Sequence, residues 1–257
     1  MTVLVVMQPT FLPWAGFFDL IDQAANFVHL DTVQFSRQSW QQRNRIKTAA
    51  GLTWLSLPVD ASWTRRTRIV DARVGPVGRI KKWRATLAQA YAGGAGIETD
   101  LPWIDAWLDS LREGDSLADR NIEFIDRVCD RLQITTPRFR ASDLAVSDGP
   151  RATRLIDLCR AFSANVYLSP PGAGGYLQAH VTAFREAGIE LVFQRYAHPL
   201  YRQRHGEFRS HASVLDLLLN EGDRAAEIFR SGRCAPIPAD EFFGTARTDD
   251  AAEEPSD

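Results

Sequence analysis

The chain predicts an α/β protein, a mostly parallel sheet flanked by helices in Rossmann-like layering, with a helical middle segment. Three observations carry this. Short apolar runs of strand length alternate with amphipathic helical stretches near the N-terminus, and the alternation resumes after Pro150; a parallel sheet covered by helices accounts for that order most simply. Two polar, aromatic-rich loops follow the first two predicted strands, where α/β proteins place binding groups.

Val3–Met7 reads as a short buried strand, and Phe27–Leu30 as a second. Between them, Gly16–Ala25 carries Phe17, Leu20, Ile21 and Ala24 at helical spacing. A strand–helix–strand crossover returns beside its origin, so the two strands are expected to be adjacent and parallel. Thr53–Val59 and Thr67–Val74 alternate around a polar turn at Ser62-Trp63-Thr64, which suggests a hairpin. The middle is helical: Ile80–Ala92, Pro102–Arg112 with proline in its first turn, and Leu117–Leu132 behind Ser116 and Asp119, a relative of the capping box. Gly93-Gly94-Ala95-Gly96 reads as a loop or hinge. After Pro150 come Thr153–Phe162 as helix, Asn165–Leu168 as strand, Tyr176–Ala187 as helix closed by Gly188, and Glu190–Gln194 as strand. One α/β domain over residues 1–243 is expected, with a helical layer or cap at about 80–133. Residues 244–257 lack large apolar side chains and should form a disordered acidic tail.

Several segments together resemble the WbqC-like protein family: MQPTFLPWAGFFDLI at Met7–Ile21, FVHLDTVQFSRQSW at Phe27–Trp40, QQRNRIK at Gln41–Lys47, WLSLPV at Trp54–Val59, VYLSPPGA at Val166–Ala173, GYL at Gly175–Leu177, YAHPLYRQ at Tyr196–Gln203 and SVLDLLLNEG at Ser213–Gly222. The resemblance runs through most of the chain to about Gly222. It implies a place in bacterial surface-polysaccharide (O-antigen) or specialised-metabolite biosynthesis, and it carries no single reaction with it.

The 257 residues are 45% hydrophobic and 24% charged, the composition of a globular protein able to bury a full core. No apolar run approaches the roughly 20 residues of a membrane span, and no basic region precedes Val3–Met7, so a cytoplasmic location is expected. Cys129, Cys159 and Cys234 are odd in number and far apart, which fits neither a disulfide framework nor a structural zinc site. The net charge of −2 hides an asymmetry, since Thr32–Arg84 holds twelve basic residues against Asp60 and Asp71. Such a field favours an anionic partner, a small molecule or an acyl carrier; the competing reading is solvated or paired surface charge. The pI near 6.2 argues against a dedicated nucleic-acid binder.

Gln8 and Asp31 end the first two strands and would converge on one crevice, Asp31 as a base or orienting carboxylate, unless it caps a local turn. Gln34, Trp40, Arg43, Asn44 and Arg45 combine an indole with guanidinium and amide groups, which suits a ligand with a flat ring and a charged arm; core packing of Trp40 with structural salt bridges is the alternative. In an extended segment Arg43 and Arg45 share a face and Asn44 opposes them. Tyr176, after the small-residue loop Ser169–Gly175, would reach the same crevice. His198 is a candidate general base, although His198-Pro199 also reads as a turn without a carboxylate partner. Ser213 with Asp216 reads as a helix N-cap pair before a catalytic dyad. No motif names a cofactor, and no metal ligand set is apparent. The residues suggest a transferase-like enzyme acting on an activated anionic substrate, such as a nucleotide-linked sugar or carrier-linked acyl group, with a non-catalytic binding protein as the alternative.

Overall fold

The computed structural model describes residues 1–146 and 149–249, with backbone alone over 245–249. In chain order its elements are β1 (Val3–Met7), α1 (Ala15–Gln23), β2 (Asn26–His29), β3 (Arg43–Thr48), β4 (Gly51–Ser56), α2 (Ile80–Ala90), α3 (Leu101–Ser110), α4 (Leu117–Arg131) and β5 (Arg138–Arg140). There follow α5 (Arg151–Ala161), β6 (Val166–Ser169), α6 (Gly174–Leu177), α7 (Val181–Glu186), β7 (Glu190–Phe193), α8 (Val214–Glu221), α9 (Ala225–Ser231), β8 (Ile237–Pro238) and α10 (Ala239–Asp249).

Six strands form one sheet in the order β5-β2-β1-β6-β7-β8, parallel throughout except where β8 runs against β7. β1 and β2 are adjacent and parallel, with Val5 opposite Phe27 and Met7 opposite His29. Side chains alternate across a strand, so β1 feeds two cores: Val5 joins Phe18, Phe27, Trp107 and Phe124 on one face, while Leu4 and Val6 join Leu155, Cys159 and Phe184 on the other. Burying a side chain of this kind is worth about 1.5–3 kcal/mol, so both faces contribute heavily to folding. Both faces being covered, the strands read as continuous apolar runs rather than alternating ones. The helices at 80–131 share the first core through Trp83, Leu87, Ile104 and Trp107. Ser116 caps α4 by accepting from the Asp119 amide at 3.3 Å, the expected start signal.

Three expectations change. The hairpin is β3 paired with β4, Arg43 opposite Ser56 through Thr48 opposite Gly51, not Thr53–Val59 with Thr67–Val74. The latter stretches meet only at the isolated bridge between Val59 and Val74, and Ile69–Asp71 coils into a 3-10 turn. The expected helix Tyr176–Ala187 is broken at a 3-10 turn, Gln178–His180, before α7 and closes at Gly188, whose φ of +72° suits a residue without a Cβ. The expected tail from 244 begins inside α10, and residues 250–257 lie outside the described residues.

Candidate functional site

A crevice of about 410 Å³ opens beyond the carboxyl ends of β1 and β6, and Gln8, Trp40, Gln41, Arg151, Tyr167 and Tyr176 line it. This is the expected position for a ligand in a parallel sheet. Its walls are the two loops that follow β1 and β2, stitched together by buried amides. Asn44 donates through Nδ2 to the carbonyls of Leu12 (2.8 Å) and Phe11 (3.3 Å), and Asn121 donates to those of Pro9 (3.1 Å) and Gln41 (2.8 Å). Phe11 N–H closes the seam on the Trp40 carbonyl at 2.8 Å. Leu12 sits at φ +47°, a left-handed conformation that costs a branched residue of this size, and the Asn44 bond holds it there.

Within this frame, Ser36 N–H donates to Gln41 Oε1 at 2.8 Å, and Gln41 Nε2 donates to Gln8 Oε1 at 2.7 Å. Arg151, in the first turn of α5, places its guanidinium 4.6 Å from the centre of the Tyr176 ring. Burial raises the Tyr176 hydroxyl above its ordinary value, and the Arg151 charge opposes that shift.

Trp40 links the crevice to the exposed face of the hairpin. β3 is extended, so Arg43, Arg45 and Lys47 share one face, as alternation requires. Arg43 lies 4.3 Å from the Trp54 ring centre and Arg45 5.4 Å from it; Arg45 is also 5.8 Å from Trp40, and the two indoles stand 5.5 Å apart. Trp40 and Trp54 remain 49% and 42% exposed. Among the described residues no carboxylate pairs with Arg43, Arg45 or Arg151, and Arg45 Nε is shielded from solvent without a partner. Lys47 is buried instead, donating to the backbone carbonyls of Gly206 and Glu207.

Of the residues read from the sequence, Gln8, Trp40 and Tyr176 meet in the crevice, with Arg43 and Arg45 on the adjoining face. Asp31 does not line it. Although β2 ends beside β1, the Asp31 carboxylate is fully buried on the β5 side, accepting from Arg140 Nε (3.1 Å), Ser142 N–H (2.9 Å) and Ser142 Oγ (2.8 Å). With both oxygens engaged it anchors the chain after β5, a long-range role in place of the local turn cap weighed against catalysis. Asn44 is structural, as described, and Gln34 is exposed, bridging to Arg68 through backbone. His198 lies elsewhere, stacked on Trp14 at 6.0 Å in an aromatic cluster with Tyr196, Tyr201, Phe208 and His211, and its Nδ1 meets the Pro199 carbonyl at 3.1 Å. Burial lowers the pKa of both His198 and His211. Ser213 caps α8 through Leu215 N–H at 3.3 Å, while Asp216 turns inward.

Asp216, read from the sequence only as the partner of Ser213 in an N-cap pair, is instead a fully buried acceptor. It accepts from Tyr91 Oη (2.9 Å), Tyr201 Oη (2.7 Å) and Gln203 Nε2 (2.6 Å), and burial raises its pKa against the pull of these bonds. Gln41 and Arg151 were missed. Gln41 is one of two adjacent glutamines, and Arg151 resembles any surface cation ahead of a helix, so neither has a sequence signal apart from position after a strand or before a helix. Among the described residues no cluster of three or more His, Cys, Asp or Glu could hold a metal ion, and no helix is long and apolar enough to cross a membrane. Burial pushes the Cys129 and Cys159 thiols up to about 12, which leaves them inert.

No solved structure matches the chain significantly. A protein of Mycobacterium tuberculosis (strain ATCC 25618 / H37Rv), named "Uncharacterized protein Rv1507c", is 31% identical over 233 residues, which cover 90% of this chain and 98% of the relative. The WbqC-like protein family matches residues 8–228, from the crevice glutamine through α8 and into α9. The chain therefore belongs to the WbqC-like protein family.

Proposed function

We propose that the crevice and the adjoining hairpin face bind an activated anionic small molecule, a nucleotide-linked sugar or a carrier-linked acyl group, and that the protein transfers part of it in surface-polysaccharide or specialised-metabolite biosynthesis. One observation carries the reading: Arg43 and Arg45 have no acidic partner among the described residues and lie over half-exposed indoles, one of which lines the crevice. Guanidinium groups without carboxylates supply charge-assisted donors to phosphate, and an exposed indole supplies a stacking face for a flat ring. The described crevice lining contains no Asp, Glu, His or Cys. Catalysis by these residues would therefore rest on orientation of the reactants and on stabilising charge at the leaving group. Asp31 and His198 take no part in it.

That same lining favours a second reading, a non-catalytic protein that recognises a biosynthetic partner or carrier through its basic face. Saturation binding with activated sugars and acyl carriers, followed by product analysis, separates the two, since an enzyme turns over what it binds. Under either reading Arg43→Ala and Arg45→Ala weaken binding about ten- to a hundredfold, the loss of one charge-assisted contact. Binding of every anionic candidate left intact in both variants would remove the hairpin face from the site.

A further inference from the structure

We infer that the crevice contains its own oxyanion site, formed by Arg151 and by the amide NH2 of Gln8, whose direction is set by Gln41. The inference rests on the crevice being a ligand site and adds which part of the ligand it holds.

The direction follows from hydrogen-bond chemistry. A backbone N–H can only donate, so the bond from Ser36 N–H requires the oxygen of the Gln41 amide at that end. The nitrogen of Gln41 then faces Gln8 and must donate, and so Gln8 turns its own oxygen to Gln41. What remains is the Gln8 Nε2, a group with two N–H donors, no acceptor capacity and no partner among the described residues. An amide that is free to flip reads donor and acceptor alike, whereas this one is locked as a donor.

Arg151 supplies the charge. It lines the same cavity, is placed by its stacking on Tyr176, and pairs with no carboxylate among the described residues. No described lining side chain is a carboxylate that would repel an anion. A locked donor and an unpaired guanidinium in one concavity match an oxygen-rich anion, phosphoryl or carboxyl, and mismatch a cation. The nearest alternative is that the two amides only tie the loops together. It predicts no anion dependence.

The test uses the full chain, titrated separately with inorganic phosphate and with acetate, and followed by tryptophan fluorescence and thermal shift; the anion that binds identifies the phosphoryl or carboxyl source. Arg151→Ala should weaken binding at least tenfold. Gln8→Glu keeps an acceptor for Gln41 but replaces the donor with a negative charge, and should abolish binding while the fold is retained. Gln41→Glu still accepts from Ser36 but cannot donate to Gln8, frees the Gln8 amide to flip, and should weaken binding severalfold. Failure of both anions to bind, or wild-type binding in Arg151→Ala and Gln8→Glu, overturns the inference. Loss of anion binding in Arg43→Ala or Arg45→Ala with Arg151→Ala unaffected also overturns it, and leaves the proposed function standing.

Discussion

Around Asp216 and along the crevice the chain uses the same kinds of side chain, carboxylate or amide, tyrosine and cation, under opposite conditions. At Asp216 three donors converge on a fully buried carboxylate, and the nearby Lys47, also buried, is satisfied by two backbone carbonyls. Along the crevice and the adjoining hairpin face, Gln8, Arg43, Arg45 and Arg151 keep donors without partners among the described residues, while Trp40 and Trp54 stay half in solvent. A polar network whose members are all satisfied specifies and rigidifies a fold. Polar groups left unsatisfied at a surface concavity do nothing for stability and are available to a ligand. Candidate function is therefore better located by where partners are missing than by where charged residues are most deeply buried.

The largest effect should come from breaking the satisfied region. Asp216→Ala leaves two tyrosine hydroxyls and Gln203 without their acceptor and removes a negative charge that favours the Lys47 ammonium, and should cost about 3–5 kcal/mol in urea unfolding. A loss below about 1 kcal/mol would erase the contrast.

Next comes acid sensitivity centred on His29, which is buried with neither ring nitrogen bonded and held neutral, its pKa lowered to about 3 chiefly by burial. The unfolded chain, whose histidine titrates near 6.5, takes up the proton first as pH falls, so this stability is present above pH 6.5 and is lost as pH falls towards about 3. The loss runs at roughly 1.4 kcal/mol per pH unit, and His198 and His211 add to it in the same direction. His29→Phe should therefore flatten the fall between pH 7 and pH 4 by about 3 kcal/mol, measured by denaturant titration at each pH.

Asp31→Ala tests whether Asp31 sits on the satisfied side of the divide, and should cost about 1.5–3 kcal/mol through its lost bonds to Arg140 and Ser142. Unchanged stability with lost turnover would return it to the site. The smallest effect is expected at Trp40→Ala, which removes an exposed stacking face worth about 0.5–1 kcal/mol, a severalfold loss of ligand affinity with stability unchanged. A stability loss of several kcal/mol instead would make Trp40 a packing residue.

The sequence made legible what periodicity encodes. Alternating strands and amphipathic helices located β1, α1, β2, α5, β6 and β7, because a buried parallel sheet needs apolar runs and its crossovers need an apolar stripe. The hairpin escaped because β3, Arg-Asn-Arg-Ile-Lys-Thr, is too polar to read as a strand and turns through Ala49-Ala50 without an Asn-Gly or Asp-Gly signal. β5 and β8 are three and two residues long, too short for any period. For the site, position after a strand found Gln8, and an aromatic among cations found Trp40, Arg43 and Arg45. Asp31 satisfied the same positional rule yet was captured by Arg140, 109 residues away, a pairing that only the packing of β5 beside β2 creates.

Those two short strands also bear on how molecules of this protein meet one another. The sheet ends in Arg-Phe-Arg on one side, and on the other in Ile237–Pro238, where proline has no amide hydrogen to offer. Strands of three and two residues present few unpaired backbone groups, and proline removes one donor, so neither edge favours pairing with a second copy and the parallel core is shielded from edge-to-edge aggregation.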